Sequence, residues 1–436
     1  MVRLMGQLKR VVQNPDQVAV PVEKQSYPLK FAVMMILAVN CGSSSLKFQL
    51  LACDADGVIG AQRGLLRGMV DRIGSDHCVL DMEPVDGPGK RASVRAADHD
   101  AAMGLVLQAL RDDSREHFGQ LSAVGHRVVH GGDVFAGPAR IDDQSIRNIE
   151  RLVELAPLHN GPALLAIRAA GRALGSHVPM AAVFDTAFHS RMPPFAAQYA
   201  IPADIAGAHG IRRYGFHGLA HQSMAQQYAS IVDRPLEELR LITMQLGNGC
   251  SAAAVAHGRS VDTTMGFTPL EGLMMGTRSG DVDPTLPGFI ARRRNVPVEQ
   301  VESWLNTRSG LLGVSGRSSD MRDLIEAQQR GDAAAGLAVE MFCHRVRKAL
   351  GAFLVVLCGA DAIVFGGGIG ENAAPIRHRI CAEMGWCGLQ LDAARNTAAV
   401  GVEARITTDV STLTAHVVPV DEARVIARET WGVLFA

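Results

Sequence analysis

Residues 36–51 read ILAVNCGSSSLKFQLL. Four apolar residues, Ile36 to Val39, run into Asn40, Cys41, Gly42 and three serines. Leu46, Phe48 and Leu50 then alternate with Lys47 and Gln49. An apolar run, a turn of glycine and small hydroxyl residues, and a second run of period two are the marks of a β-hairpin. The plan recurs in LITMQLGNGCSAAAV, residues 241–255. Each hairpin precedes a long mixture of helix and strand signals, so the chain reads as a duplicated α/β half.

A third glycine-rich element is AIVFGGGIGENAAPIR, residues 362–377. Ala362 to Phe365 read as a short buried strand, Asn372 as a helix N-cap and Pro375 as a first-turn residue. Upstream, Val339, Phe342, Val346, Leu350 and Phe353 recur at helical spacing. Helix, strand, glycine turn and helix is again an α/β alternation.

A length of 436 residues allows two or more domains. Lys+Arg is 43 against 44 for Asp+Glu, so no global basic field exists to hold nucleic acid or a membrane surface. Anion recognition must therefore be local. The eight cysteines form no CxxC pair and read as buried small hydrophobes in a reducing, cytoplasmic compartment. No apolar run reaches the roughly 18 residues of a membrane span. The run Phe31 to Val39 lacks a small-residue cleavage site and flows into the Asn-Gly-Ser turn, so it reads as strand. Residues 1–33, polar and aperiodic, are expected to be a poorly ordered N-terminal extension.

The chain has no GxxxxGK[ST] and no clean GxGxxG, which disfavours a Walker loop and a dinucleotide fold. It has three glycine-rich turns after strands, whose backbone N–H groups can form anion-binding nests. Between them lie segments rich in Arg and His. GHRVVHGG puts Arg127 in a strand, APLHNGP puts His159 in a turn, FDTAFH puts Asp185 at a strand end and RRYGFHG puts His217 in a glycine-flanked turn. Arg278 lies in the loop-like MGFTPLEGLMMGTRSGDVDP. His126 with His130, and His217 with His221, are four apart, but neither pair has the Glu of HExxH, and the glycines argue against a helix at His217; zinc is disfavoured. Asp281 and Asp283 are assigned to the turn around Pro284.

These strings, with DTTMGFTPLEGLMMGTRSGD, GGGIGEN and PVDEARVIARET, occur in an order that resembles the acetate kinases, of the acetate and sugar kinase, Hsp70 and actin superfamily. The resemblance spans residues 34–436. It implies an α/β chain of two duplicated actin-like (ribonuclease H-like) domains, mixed β-sheets flanked by helices, with the active site in the interdomain cleft. The expected division is 34–186 plus 421–436 for the N-terminal domain and 187–420 for the C-terminal, nucleotide-binding domain. The implied reaction is reversible, magnesium-dependent transfer of a phosphoryl group from ATP to acetate, giving ADP and acetyl phosphate; Mn²⁺ could replace Mg²⁺. A homodimer is implied by the resemblance alone.

The implied residue roles suit that chemistry. Phosphoryl transfer needs in-line positioning and charge neutralisation. Arg127 and Arg278 supply forked cations for carboxylate and phosphate oxygens. His217 would donate to a transferring oxygen. Asp185 is placed at the site, but acetate, with a pKa of about 4 to 5, is already ionised and needs no base; Asp185 is expected to orient an arginine or water. Asn40 and Glu422 are the implied metal positions. Ser43, Ser45 and Lys47 would meet the phosphates, with Gln245, Leu246, Gly247, Asn248 and Gly249 on the other side. Adenosine would lie against Asp320, Met321 and Arg322 and against Gly368, Ile369, Gly370, Glu371 and Asn372. The acyl pocket would be lined by Val129, Leu158, His159, Phe216 and Pro269, and its small size favours acetate. A propionate or butyrate kinase of the same family is the alternative, and a non-catalytic switch of the actin or Hsp70 type a more distant one.

Overall fold

The structure is a computed structural model and describes residues 33–54, 64–85, 87–113 and 121–436, without the side chain of Leu158. The expectation of a poorly ordered extension falls, except for Val33, outside the described residues.

Two mixed sheets organise the chain. The first has eight strands in the order β5-β4-β3-β2-β1-β6-β8-β7. They are β1 (Met34–Cys41), β2 (Ser45–Cys53), β3 (Gly64–Asp71), β4 (Val79–Pro84), β5 (Lys90–Ser93), β6 (Leu121–Val128), β7 (Ala139–Arg140) and β8 (Met180–Phe184). The second has six strands in the order β11-β10-β9-β12-β14-β13. They are β9 (Arg240–Leu246), β10 (Cys250–Ala256), β11 (Arg259–Thr263), β12 (Ala362–Gly366), β13 (Ala404–Arg405) and β14 (Thr414–Val417). The first sheet carries an antiparallel meander of five strands, β1 to β5, and the second one of three, β9 to β11; in each the meander leads through its first strand to two parallel strands and a short antiparallel edge. The order β3-β2-β1-β6-β8-β7 and the order β11-β10-β9-β12-β14-β13 are the same path drawn twice. The duplication read from two hairpins therefore extends to a path of six strands, to which the first sheet adds β4 and β5.

Local sequence explains the hairpins. In β1 and β2 the alternation seats Leu37, Val39, Leu46, Phe48 and Leu50 on one face, where they form a core with helix α1 (His99–Asp113) and helix α2 (Pro157–Leu174). The other face, Met34, Ile36 and Ala38, packs on the last helix, α7 (Glu422–Phe435), through Val425, Ile426 and Ala427. A strand buried on both faces is nearly all apolar, as the opening run is. Gly125 of β6 makes this docking possible: a Cβ there would lie 2.2 Å from Thr430 Oγ1 and 2.7 Å from Ile426 Cγ2. In the second half, helix α5 (Ala333–Val356) buries Val339, Phe342, Val346, Leu350 and Phe353, as its spacing predicts, and helix α3 (Gly218–Ile231) covers β9 and β12.

The helices α3 and α7 touch where the two halves meet. Gln222 donates to Glu429 at 2.8 Å, and the Asp421 backbone N–H donates to Ser223 Oγ at 3.0 Å. Among the described residues, no helix is long and apolar enough to cross a membrane.

Candidate active site

The carboxyl ends of the parallel strands face the junction of the halves, the usual location of sites in open α/β sheets. Register places the first polar row. Asn40 of β1 lies opposite Lys47 of β2 and opposite Arg127 of β6. Lys47, Asn40 and Arg127 thus share the face onto which α7 packs, and Glu422, in the first turn of α7, lies over them. An acidic residue at that end of a helix also suits the helix dipole.

Arg127 is the hub. Its Nε donates to Asp185 Oδ1 at 2.8 Å and its Nη2 to Asp185 Oδ2 at 2.5 Å. Its Nη1 donates to Asn40 Oδ1 at 2.9 Å, and Asn40 Nδ2 donates to Glu422 Oε2 at 3.0 Å. The orientation of the Asn40 amide is dictated, because arginine only donates and a carboxylate only accepts. Burial alone would lower the Arg127 pKa, but the charges of Asp185 and Glu422 raise it, so the guanidinium is firmly charged. Glu422 is pushed up by burial, with Arg127 acting against the shift and Asp185 adding to it.

The other half closes on this row. Gly218 brings α3 against Asp185: a Cβ there would lie 1.9 Å from the Asp185 carbonyl oxygen. His217, just before it, takes a left-handed φ of 56°. That conformation is uncommon for a side chain with a Cβ and turns the imidazole inward. Its Nδ1 bonds Ser251 Oγ at 2.9 Å. Its Nε2 faces the LGNG turn: a Cβ on Gly249 would lie 3.2 Å from His217 Nε2 and 3.8 Å from Arg278 Nη1. Burial lowers the His217 pKa to about 3, with Asp185 opposing and Arg127 and Arg278 contributing. The ring is therefore neutral at pH 7.

Arg278 sits in an irregular loop held by the same turn. The Gly276 N–H donates to Asn248 O at 2.9 Å, and a Cβ on Gly276 would lie 2.0 Å from Asn248 Oδ1. Arg278 Nη1 donates to Pro269 O at 3.0 Å. Among the described residues the guanidinium has no carboxylate partner in an ion pair. His159 feels both arginines: burial first, then Arg278 and Arg127, lower its pKa. Val129 and Phe216, both expected at the acyl pocket, are buried in one core cluster, at 5% and 1% exposure. Pro269 is held to the site through Arg278. Leu158 lies outside the described side chains.

The residues expected on the phosphate side are arranged less uniformly. Ser43 is exposed and Ser45 half-buried in a turn closed by Gly42 N–H donating to Ser45 O at 2.8 Å. Across the junction, Gln245 and Leu246 end β9 and the Gly247–Gly249 turn follows. The Gln245 amide oxygen is buried without a partner. Glu371 works on the backbone. Its Oε1 accepts from Gly367 N at 2.9 Å and Val420 N at 3.1 Å, which ties the glycine turn to the lead-in of α7. Asp320 caps helix α4 (Met321–Gln329), Met321 is buried, and the exposed Arg322 folds back on Asp320. No hydrogen bond joins Asp320–Arg322 to Gly368–Asn372 among the described residues.

Three local readings need correction. His159 is not in a turn but in the first turn of α2, which starts at Pro157 and tolerates Pro162; buried Asn160 anchors it by donating to His130 O at 3.0 Å. A helix begins at Gly218, so the glycines beside His217 admit one; they serve close packing on Asp185. Asn372 is not an N-cap. The glycines form helix α6 (Gly367–Asn372), and Asn372 Nδ2 donates back to Gly368 O at 2.9 Å. The following helix, Ala374–Cys381, takes Ala373 as its cap.

The comparisons with known proteins agree with one another. The sequence model of the Acetokinase family matches residues 35–428. The chain belongs to the acetokinase family. An acetate kinase of Solibacter usitatus is 45% identical over 404 residues, 91% of this chain and 97% of that protein. One of Heliobacterium modesticaldum is 44% identical over 404 residues, 92% of this chain and 100% of that protein. Among solved structures, acetate kinase of Porphyromonas gingivalis superposes with a TM-score of 0.85 at 36% identity, covering 92% of this chain and 100% of that one. A propionate kinase from Francisella tularensis gives 0.84 at 35% identity, with coverage of 92% and 100%. The superposed structures thus share the duplicated α/β architecture of mixed sheets flanked by helices expected from the sequence.

Missed by sequence reasoning were the bridging role of Asn40 and the residues behind His217. In the sequence His221 reads only as half of a disfavoured zinc pair. Its two ring nitrogens instead bond Thr243 Oγ1 and Ser251 Oγ, both at 2.8 Å.

Proposed function

We propose that the cleft transfers the γ-phosphoryl group of ATP directly to acetate with magnesium present, giving acetyl phosphate and ADP. Membership of the acetokinase family makes the chain an acetate kinase, a phosphotransferase with a carboxyl group as acceptor. The observation that supports the residue roles is the convergence of Arg127, Asp185, His217 and Arg278 on one point, each from a different segment.

Acetate would be held by its two oxygens between Arg127 and Arg278, with its methyl toward Val129 and Phe216. Asp185 cannot readily serve as a base, since both of its oxygens are engaged by Arg127. It holds the guanidinium in place. His217 and Arg278 would face the equatorial oxygens of the transferring group, where developing charge is best met by preorganised donors. Ser43, Ser45 and Lys47 from the first hairpin and Asn248 from the second would bracket the phosphates. Asp320 to Arg322 and Gly368 to Asn372 would border the adenosine, with Glu371 acting through the backbone it holds.

The residues fit a magnesium ion. Among the described residues no group of three or more His, Cys, Asp or Glu is placed to hold a metal. Glu422 offers a half-buried carboxylate, Asn40 Oδ1 keeps a second lone pair, and a cavity of about 500 Å³ opens beside them. Such a set suits an ion that keeps several waters and takes the rest of its ligands from phosphate. When bound, the ion would neutralise charge on the phosphate oxygens.

The domain division at 34–186 plus 421–436 and 187–420, cytoplasmic location and a homodimer complete the reading, supported by the family resemblance. The test is hydroxylamine trapping of acyl phosphate from ATP, Mg²⁺ and acetate, repeated with propionate and butyrate. Acetate giving the highest kcat/KM is expected; no trapped product from folded protein would overturn the reading, and a higher value for propionate would move it to the sister activity.

A further inference from the structure

Behind His217 lies a continuous buried chain. His217 Nδ1 bonds Ser251 Oγ at 2.9 Å, Ser251 Oγ bonds His221 Nε2 at 2.8 Å, and His221 Nδ1 bonds Thr243 Oγ1 at 2.8 Å. Ser251, His221 and Thr243 are fully buried, each at 0% exposure. The elements explain the meeting. Ser251 of β10, opposite Gln245, stands two residue pairs from Thr243 of β9 along the ladder, and His221 lies on α3 one helical turn beyond His217, which caps it.

Counting protons shows what such a chain does. Both imidazoles are neutral, since burial lowers the His217 pKa to about 3 and that of His221 well below its ordinary value. Each ring then carries one N–H and one bare nitrogen. Ser251 has a single proton and two ring partners, so it donates to one ring and accepts from the other. The links must therefore all point the same way. If they point toward the cleft, Thr243 donates to His221 Nδ1, His221 Nε2–H donates to Ser251, and Ser251 donates to His217 Nδ1. His217 then presents Nε2–H. If they point away, Thr243 must donate to Ala253 O, at a stretched 3.5 Å, and His217 presents a bare Nε2 to the cleft. The inward direction uses only short bonds.

We propose that Ser251, His221 and Thr243 form a hydrogen-bond relay that fixes His217 as the Nε2–H tautomer, so that it faces the transferring phosphoryl group as a donor. The three are positioning residues and touch no substrate. The tautomer of a histidine is set by the bond its other nitrogen makes, and here that bond is set two further residues away. The relay also explains why a left-handed His217 is retained: the strained backbone aims Nδ1 at Ser251 and Nε2 at the Gly249 turn together.

The inference rests on the phosphoryl-transfer reading, and its test separates the two. Proton-detected ¹⁵N spectra of histidine-labelled wild-type protein, without substrate, read the tautomer directly; His217→Gln assigns the signals. A protonated Nε2 with a bare Nδ1 is expected, and a protonated Nδ1 with a bare Nε2 overturns the relay while leaving the reaction intact. Thr243→Val should lower kcat at least about tenfold with KM values for ATP and acetate changed less than about threefold, the loss of one preorganised donor. Thr243→Ser, which restores the hydroxyl, should recover most of kcat. Folded Thr243→Val with wild-type kcat overturns the relay, and the wild-type spectrum decides the case even where that variant does not fold.

Discussion

Arg127 and Asp185 meet edge to edge in two parallel hydrogen bonds, 2.8 Å from Nε and 2.5 Å from Nη2. This pairing, between a residue of β6 and the residue just after the neighbouring parallel strand β8, fixes the plane of the guanidinium. It leaves Nη1 to Asn40 and turns the remaining N–H groups toward the cleft. Asp185→Asn keeps the shape but opposes an NH₂ group to a donor-only partner. The expected result is a fall in kcat of about a hundredfold or more with the loss nearly constant from pH 6 to 9, because orientation rather than proton abstraction is removed. Steady-state rates across that range check it; wild-type turnover would refute the orienting role.

The two arginines should differ in what they cost the fold. Asp185 is 1% exposed, so Arg127→Ala strands a buried carboxylate, and breaking one partner of such a pair typically costs about 3–5 kcal/mol. Arg278 leans on a carbonyl and a thioether and has no acidic partner among the described residues. Arg278→Ala should leave the urea midpoint almost unchanged while lowering kcat by about 10³-fold or more, the scale of an arginine that meets transferring phosphate. Denaturation and acyl-phosphate trapping on both variants test the contrast. Equal losses of stability would contradict it.

Short-range patterns carried most of the fold. The hairpins at Ile36–Leu51 and Leu241–Val255 were legible because alternation and turn chemistry are local, and α5 because its apolar stripe is regular along the helix. The motif strings also located Arg127, Asp185, His217 and Arg278. What stayed hidden is set by pairing between distant residues. Asn40 reaches Arg127 across 87 positions and Glu422 across 382, so its role as a bridge depends on strand register and on the return of α7. Ser251 and Thr243 look like ordinary small strand residues until the sheet sets them against α3. Pro157, Gly161 and Pro162 disguised a helix start as a turn, since their local preference is overridden by burial of Asn160.

The acyl pocket gives a quantitative expectation. Val129 is 5% exposed and lies with Phe216 in one buried cluster. Val129→Ala removes two methyl groups from the wall that would meet the substrate chain. One methylene in such a pocket is worth about 1–3 kcal/mol. The ratio of kcat/KM for propionate over acetate should therefore rise about tenfold or more. Measuring both substrates on wild type and variant tests this, and an unchanged ratio would remove Val129 from the pocket.

Buried histidines set the acid limit of stability. Burial lowers the pKa of His126 to about 3 and of His189 to about 4, and that of His221 well below its ordinary value. The folded state holds these rings neutral, whereas the unfolded chain binds protons below its ordinary value of about 6.5. Stability from this source is therefore full above pH 6.5 and is lost as pH falls below it, continuing toward the folded values. At pH 5.5 each ring costs about 1.4 kcal/mol, and three together cost about 4 kcal/mol, a large part of a typical net stability. Glu422, raised by burial, works with the opposite sign and softens the fall. His126 isolates the effect, since both of its ring nitrogens are buried without partners. His126→Leu should lose about 1.4 kcal/mol less between pH 7.5 and 5.5 than the wild type in urea unfolding. An identical pH slope in the two proteins would show that His126 is already protonated in the fold.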